Sequence, residues 1–97
     1  MVKHVIIWTL KEEHNTEEIK STMKKELENL VGKVPGLLEM KIEINPLGSS
    51  NGDVMLYSVL ENEDSLKGYA THPEHVRVAD TFVRPYTKTR ACFDFIA

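Results

Sequence analysis

The segment GYATHPEHVRVAD, Gly68 to Asp80, gathers Tyr69, His72, Glu74 and His75 within a few positions of one another. An imidazole titrates near neutrality and can take a proton from the carbon alpha to a carbonyl, and a phenol hydroxyl can hold the oxygen on which charge then develops. His75 as such a base, with Tyr69 as such a hydrogen-bond donor, is a chemically reasonable combination. They stand six positions apart, which on an unbroken helix puts them on different faces. They can converge only if the chain kinks at His72-Pro73. The plainer alternative is that His72 caps a restarted helix while His75 is a partly buried histidine bonded to a strand carbonyl or to Asp94. A second constellation is His4 with Asp94, where a carboxylate can orient an imidazole. Equally, these two form a buried polar pair that fixes strand register, with Arg90, four positions before Asp94, as the carboxylate's charge partner.

The elements that must position these groups follow from periodicity. VKHVIIWTL, residues 2–10, is short and rich in β-branched residues and reads as a strand with His4, Ile6 and Trp8 on one face and Val5, Ile7 and Thr9 on the other. Trp8 suits a core position or the wall of a small-molecule pocket. A helix follows, capped by Asn15 with Glu18 completing a capping box; Ile19, Met23, Leu27, Leu30 and Val31 form its apolar face, and Lys20, Lys24, Lys25 and Glu28 its wet side. Lys33-Val34-Pro35-Gly36 ends it. LLEMKIEI, residues 37–44, is a second strand with Leu38, Met40, Ile42 and Ile44 inward, and residues 54–60 are a third. Between them NPLGSSNGD, residues 45–53, is turn chemistry without phosphate-binding spacing and reads as a mobile connection. A second helix from residue 61 is broken at Pro73 and stopped at Arg84-Pro85. TRACFDFI, residues 89–96, is the last strand, with Arg90, Cys92 and Asp94 alternating against Ala91, Phe93 and Phe95.

The order is β-α-β-β-α-β, an α+β chain of ferredoxin-like arrangement: an antiparallel four-stranded sheet with helices on one face. Residues 1–97 are expected to form a single domain, since 97 residues enclose only one core. The other sheet face, with Val5, Ile7, Ala91 and Phe93, is left bare, so a homodimer through that open face is expected.

Composition narrows the function classes. A net charge of -3 gives no basic footprint for nucleic acid. The longest early apolar run, Val5 to Trp8, is too short for a membrane span or a signal-peptide core. Cys92 is the one cysteine, which rules out an internal disulfide and a cysteine-based zinc site and makes the cytoplasm the natural location. His72 and His75 stand three apart with no second matching motif, so no metal and no cofactor is expected. His14, in the polar run KEEHNTEE, reads as solvated.

VKHVIIWTLK, VPGLLEMKIEIN, HPEHVRVADTFVRP and RACFDF, in that order, together resemble the stress-responsive dimeric α/β-barrel domain (Dabb) family over nearly the whole chain. The resemblance implies the fold and the dimer. It also implies a small-molecule pocket between sheet and helices, lined by positions matching His4, Ile6, Trp8, Met23, Leu27 and Asp94. Arg90 joins that lining on the face of Asp94. Plant polyketide cyclases of the family perform an aldol condensation without metal or cofactor, using a tyrosine and a histidine in a Tyr-x-x-His-Pro-x-His-Val context. YATHPEHV carries these as Tyr69 and His75. Met23, Leu27 and Thr87 stand where the cyclase is bulkier, Tyr86 is expected to restore some aromatic area, and the charged Arg90 makes a long alkyl-bearing polyketide a poor fit. What the resemblance supports is therefore a binder of a small carbonyl or hydrophobic ligand, with a cyclase- or lyase-like enzyme as the alternative. A heme- or quinone-handling monooxygenase, an activity of other dimeric α/β barrels, is less consistent with this chain, which has no electron-carrying motif.

Overall fold

β1 (Val2–Leu10) is a central strand. It pairs antiparallel with β3 (Val54–Leu60) on one side and β4 (Thr87–Ile96) on the other, and β2 (Leu37–Glu43) pairs with β3 at the far edge. These are the features of a computed structural model describing residues 1–97. Three helices, α1 (Glu17–Glu28), α2 (Glu63–Thr71) and α3 (Pro73–Val78), belong to the same α+β ferredoxin-like sandwich. None is long and apolar enough to cross a membrane.

The period-two alternation of β1 buries Val2, His4, Ile6, Trp8 and Leu10 and leaves Ile7 exposed. Of these, Ile6, Trp8 and Leu10 pack with Met23, Leu27 and Leu30 and with Ile42, Leu56 and Leu60 of the neighbouring strands. Directly opposite His4, Ile6 and Trp8 on β4 lie Asp94, Cys92 and Arg90. One sheet face thus carries the chemistry-bearing residues of both terminal strands. At the level of His4 the ladder is pinned from the other side, where the fully buried Ser58 hydroxyl donates to the His4 carbonyl at 3.0 Å.

Several local expectations change. The α1 cap is Thr16, whose hydroxyl accepts from the Ile19 amide at 3.3 Å, because a short 3₁₀ turn over Glu12–His14 leaves Asn15 outside the helix. Glu18 therefore sits in the first turn, where acidic side chains favour the helix dipole, rather than closing a box with Asn15. The helix ends at Glu28, ahead of the Lys33–Gly36 stop, and Val31 falls in the following turn, exposed.

In β2 it is Leu37 that faces the core, and Leu38 is 43% exposed, since a register irregularity between Leu37 and Glu39 shifts the alternation. Lys20, Lys24 and Glu28 do not simply face water. The lysine ammonium groups donate to the Ile44 and Ile42 carbonyls at 3.3 and 2.7 Å, and Glu28 accepts from the Ile42 amide at 2.9 Å. They satisfy backbone groups along an edge strand that would otherwise be open to pairing. Burial alone would raise the Glu28 carboxyl, but the Ile42 amide and Lys24 outweigh it and hold the pKa below the ordinary value.

His14 is half-buried with its ring edge-on to Tyr86 at 5.0 Å, so it is not merely solvated, and Tyr86 is spent there rather than in a pocket. The 45–53 connection is tied at its end: the Asp53 amide donates to the Trp8 carbonyl and its carboxylate accepts from the Leu10 amide, both at 2.8 Å.

Gly36 has φ +81°, and a Cβ there would lie 2.6 Å from the Ser65 Cβ. Gly32 has φ +91° with nothing within 4 Å. Gly36→Ala is expected to destabilise the fold by about 1–3 kcal/mol in denaturant titration, and Gly32→Ala by less, since it bears the backbone term without the clash.

Candidate active site

The break between α2 and α3 assembles the site. Asn62 caps α2 by accepting from the Ser65 amide at 2.8 Å, and the helix runs until His72 turns out to φ -62°, ψ 133°. That extended residue satisfies the backbone restriction before proline, and Pro73 occupies the first position of α3. His72 Nδ1 accepts from the Glu74 amide at 3.1 Å, so this histidine is a cap. The kink swings His75 back over Tyr69, their ring centroids 4.1 Å apart and the planes 36° from parallel. The His4 ring meets Tyr69 edge-on at 5.9 Å. Beyond α3 a π-helical turn, Ala79–Val83, closes with Arg84 donating its amide to the Ala79 carbonyl at 2.8 Å, and it delivers Ala79, Val83 and Arg84 to the same region.

Two adjoining cavities result. The inner one, about 100 Å³, is walled by Ile6, Trp8, Leu27, Leu56, Ala79 and Val83, with Arg84 and Thr87 at its side. The outer one, about 280 Å³, is bordered by Leu66, Lys67, Ala70, Cys92 and Asp94. His4, Tyr69, His75 and Arg90 line both. Met23 lines neither: at 0% exposure it is core, one helical turn before Leu27 on α1. A larger groove of about 430 Å³ lies at the 45–53 loop beside Ile7, away from the Tyr69–His75 pair.

His75 bonds neither a strand carbonyl nor Asp94. Its Nδ1–H donates to the Ala70 carbonyl of α2 at 3.2 Å, which leaves Nε2 with the free lone pair. Burial lowers the His75 pKa most. The nearby charges of Arg84, His4 and Arg90 lower it further against the opposing Ala70 bond, so the imidazole is neutral at pH 7. Tyr69 is 2% exposed as a residue, yet its hydroxyl, which makes no hydrogen bond within the chain, is not itself sealed off; burial of the ring pushes its pKa far above the ordinary phenol value, so it stays a donor.

His4 Nδ1 bonds the Asp94 carboxylate. Arg90 is not the partner of Asp94, because four residues of extended strand carry them about 13 Å apart along the backbone and Cys92 lies between. Cys92 Sγ lies 3.4 Å from the Asp94 carboxylate and 3.9 Å from His4 Nδ1. Burial and the acceptor Asp94 raise the Cys92 pKa, which keeps it a thiol and a poor nucleophile. The His4, Cys92 and Asp94 donor atoms all lie within 4.8 Å of one another, a set able to ligate a divalent ion such as zinc once the His4–Asp94 contact opens.

Sequence reasoning missed Cys92, Lys67 and Arg84 as neighbours of the site. For Cys92 the signal was present, since an alternating β4 paired with β1 puts it on the Asp94 face. For Arg84 it was not, because only the π turn aims it here.

The stress responsive A/B barrel domain model matches residues 2–97. No curated protein matches the chain. Among solved structures, a dimeric protein of unknown function and ferredoxin-like fold from Bacteroides fragilis is 28% identical over 97% of this chain and 93% of its own, with a TM-score of 0.87. A hydroxynitrile lyase from Passiflora edulis is similar in fold at 14% identity, TM-score 0.83, over 99% and 92% of the two chains. An antibiotic biosynthesis monooxygenase is similar at 13% identity, TM-score 0.78, over 100% and 98%. At such identities these last two speak to the fold alone. A family model spanning all but the first residue, together with the ferredoxin-like sheet and its bare face, means that the chain belongs to the stress responsive A/B barrel (Dabb) family.

Proposed function

We propose that this protein is a homodimeric small-molecule domain whose cavity between sheet and helices takes a small carbonyl compound, and that His75 and Tyr69 move a proton alpha to that carbonyl without a cofactor. One observation carries the reading: the Tyr69 hydroxyl makes no hydrogen bond within the chain, is not sealed off, and stands in a cavity it shares with His75, whose free nitrogen is Nε2. A hydroxyl that is open to the cavity and not engaged by the chain is free to donate to a ligand oxygen. In the forward step the α C–H bond breaks, its proton goes to His75 Nε2, and the electron pair moves onto the carbonyl oxygen, held by the Tyr69 O–H. His4 acts as a positioning residue: Asp94 fixes its ring, and its edge rests against Tyr69.

The dimer reading rests on exposed apolar area on the bare face, where Ile7 is 44%, Phe93 69% and Phe95 39% exposed. A Dabb domain that only binds its ligand is the second reading, favoured by the small inner cavity, which lies below the roughly 300–1,000 Å³ of pockets for drug-sized ligands.

Tyr69→Phe keeps the ring stack and deletes the donor. Titration of small ketones and methyl esters, followed by NMR, is expected to show binding weakened roughly two- to tenfold in this variant. Unchanged binding would mean that the hydroxyl does not receive the carbonyl.

A further inference from the structure

We propose that the compound bound here carries a carboxylate as well as a carbonyl, and that Arg90 is the anchor for that carboxylate. The inference rests on the cavity reading above and adds the substrate class.

The charged groups around the two cavities are Arg84, Arg90 and Lys67 on the cationic side and Asp94 on the anionic side, with His4, His75 and Cys92 between. Each of the others has a partner or a peripheral place. Arg84 is paired with Asp80 one helical turn away. Asp94 is taken by His4 and by the Cys92 thiol. Lys67 borders the outer cavity only. Arg90 alone lines both cavities and enters none of the chain's ion pairs. Its position is set by the β1–β4 register, which puts it opposite the buried Trp8 on the face of the site. Arg90 is exposed in the single chain, and its guanidinium, with no internal carboxylate to satisfy it, can be matched by an external one, because the planar fork of N–H donors fits a carboxylate with two parallel bonds. A single arginine, unsupported by a helix N-terminus or a second free cation in the inner cavity, suits a monoanion better than a phosphate.

The geometry also orients the ligand. Asp94 lies two strand positions beyond Cys92 and repels a carboxylate, so the ligand's charged end belongs at Arg90 and its carbonyl beside Tyr69 and His75. The pairing serves the proton transfer as well. Removing an α-proton from an oxo acid creates a second negative charge on the same small molecule, and a guanidinium on the first charge lowers that cost. Pairing leaves the atom balance as given above: the proton passes to His75, the pair to the carbonyl oxygen, and the carboxylate stays intact. The class is therefore short oxo acids, in which the distance between carboxylate and ketone is the variable.

The test uses the full chain and three acids, pyruvate, acetoacetate and levulinate, each beside its own methyl ester, with dissociation constants read from NMR titrations of the His75 and Tyr69 resonances. In the wild type at least one acid should bind about tenfold or more tightly than its ester. Arg90→Gln should erase that preference, bringing each acid to the affinity of its own ester measured in the same variant, and Arg90→Lys should retain part of it, with a melting curve on each variant. An acid and ester of equal affinity in the wild type, or a preference that survives in Arg90→Gln, overturns the anchor while leaving the cavity reading intact. If Arg90→Gln does not fold, the wild-type ratio and Arg90→Lys still decide: no acid preference in the first, or an undiminished one in the second, sinks the anchor. If none of the six compounds perturbs His75 or Tyr69, the cavity reading fails and the anchor with it.

Discussion

Replacing His75 by glutamine is expected to lower the exchange of α-hydrogens for deuterium in a bound ketone by about 10²–10⁴-fold, the usual contribution of a positioned general base. Glutamine keeps a polar, planar end of similar reach and can still donate to the Ala70 carbonyl, so the kink at His72-Pro73 is not asked to change. What it cannot do is accept a proton. Proton NMR in deuterium oxide follows the exchange directly, and the variant's melting temperature and dimer mass should stay those of the wild type. A variant that loses its fold along with its exchange would point to a structural histidine, and one that exchanges at the wild-type rate would remove His75 from the chemistry.

The same group sets a pH dependence. Burial disfavours the imidazolium and the charges of Arg84, His4 and Arg90 add to it, so the folded-state pKa of His75 lies below its ordinary 6.5. Exchange should therefore be at its plateau at neutral pH and fall only on the acid side of 6.5. The stability linkage has the matching sign. Between the lowered folded value and 6.5 the unfolded chain binds more protons, so stability rises with pH across that window. The contribution of His75 is fully present above 6.5 and is lost as pH falls through the folded value. His75→Gln should remove that slope from the pH dependence of melting.

Phe93→Asp carries the second large effect: conversion of the dimer to monomer. Phe93 projects from β4 on the face opposite Arg90 and Asp94, is 69% exposed in the single chain, and contacts Phe95 with centroids 5.8 Å apart. With Ile7, it gives the bare face an aromatic centre, the kind of residue that dominates interface energy. A carboxylate there, enclosed by a partner sheet, would be desolvated without a counter-ion, at a cost of several kcal/mol. Because both copies present the same face in a two-fold pair, the penalty enters twice. Light scattering should give a dimer mass for the wild type and a monomer mass for Phe93→Asp. A monomeric wild type would leave the apolar face in need of another occupant. The substitution leaves the cavity untouched, so a folded monomer that still binds the ketones would separate assembly from ligand recognition.

The strands were legible because two-residue alternation is a strong local signal, and the opposed pairs His4–Asp94 and Trp8–Arg90 follow once β1 and β4 are adjacent. The kink was legible for a similar reason. Tyr69 and His75 could meet only through a break, and proline marks where a helix breaks. The failures share a different cause. Thr16 rather than Asn15 caps α1 because an intervening 3₁₀ turn consumes residues no periodicity counts. Leu38 faces outward because one register irregularity inverts an alternation. The alternative in which Arg90 is the charge partner of Asp94 rests on a spacing of four, which brings side chains together on a helix and separates them on a strand. Met23 was placed in the lining although the core and cavity faces of α1 differ by a single turn, a distinction that depends on the angle at which the helix crosses the sheet. Edge protection by Lys20, Lys24 and Glu28 was equally invisible, since polar residues on a helix read as wet whatever they reach.

The most direct test of the central claim is a crystal structure of the dimer soaked with methyl levulinate, examined at the Tyr69–His75 cavity. The account predicts the ketone oxygen about 2.5–3.0 Å from the Tyr69 hydroxyl with an α-carbon facing His75 Nε2. A cavity closed by protein, with the Tyr69 hydroxyl bonded to a neighbouring side chain or the ester found only in the groove at the 45–53 loop, would contradict it.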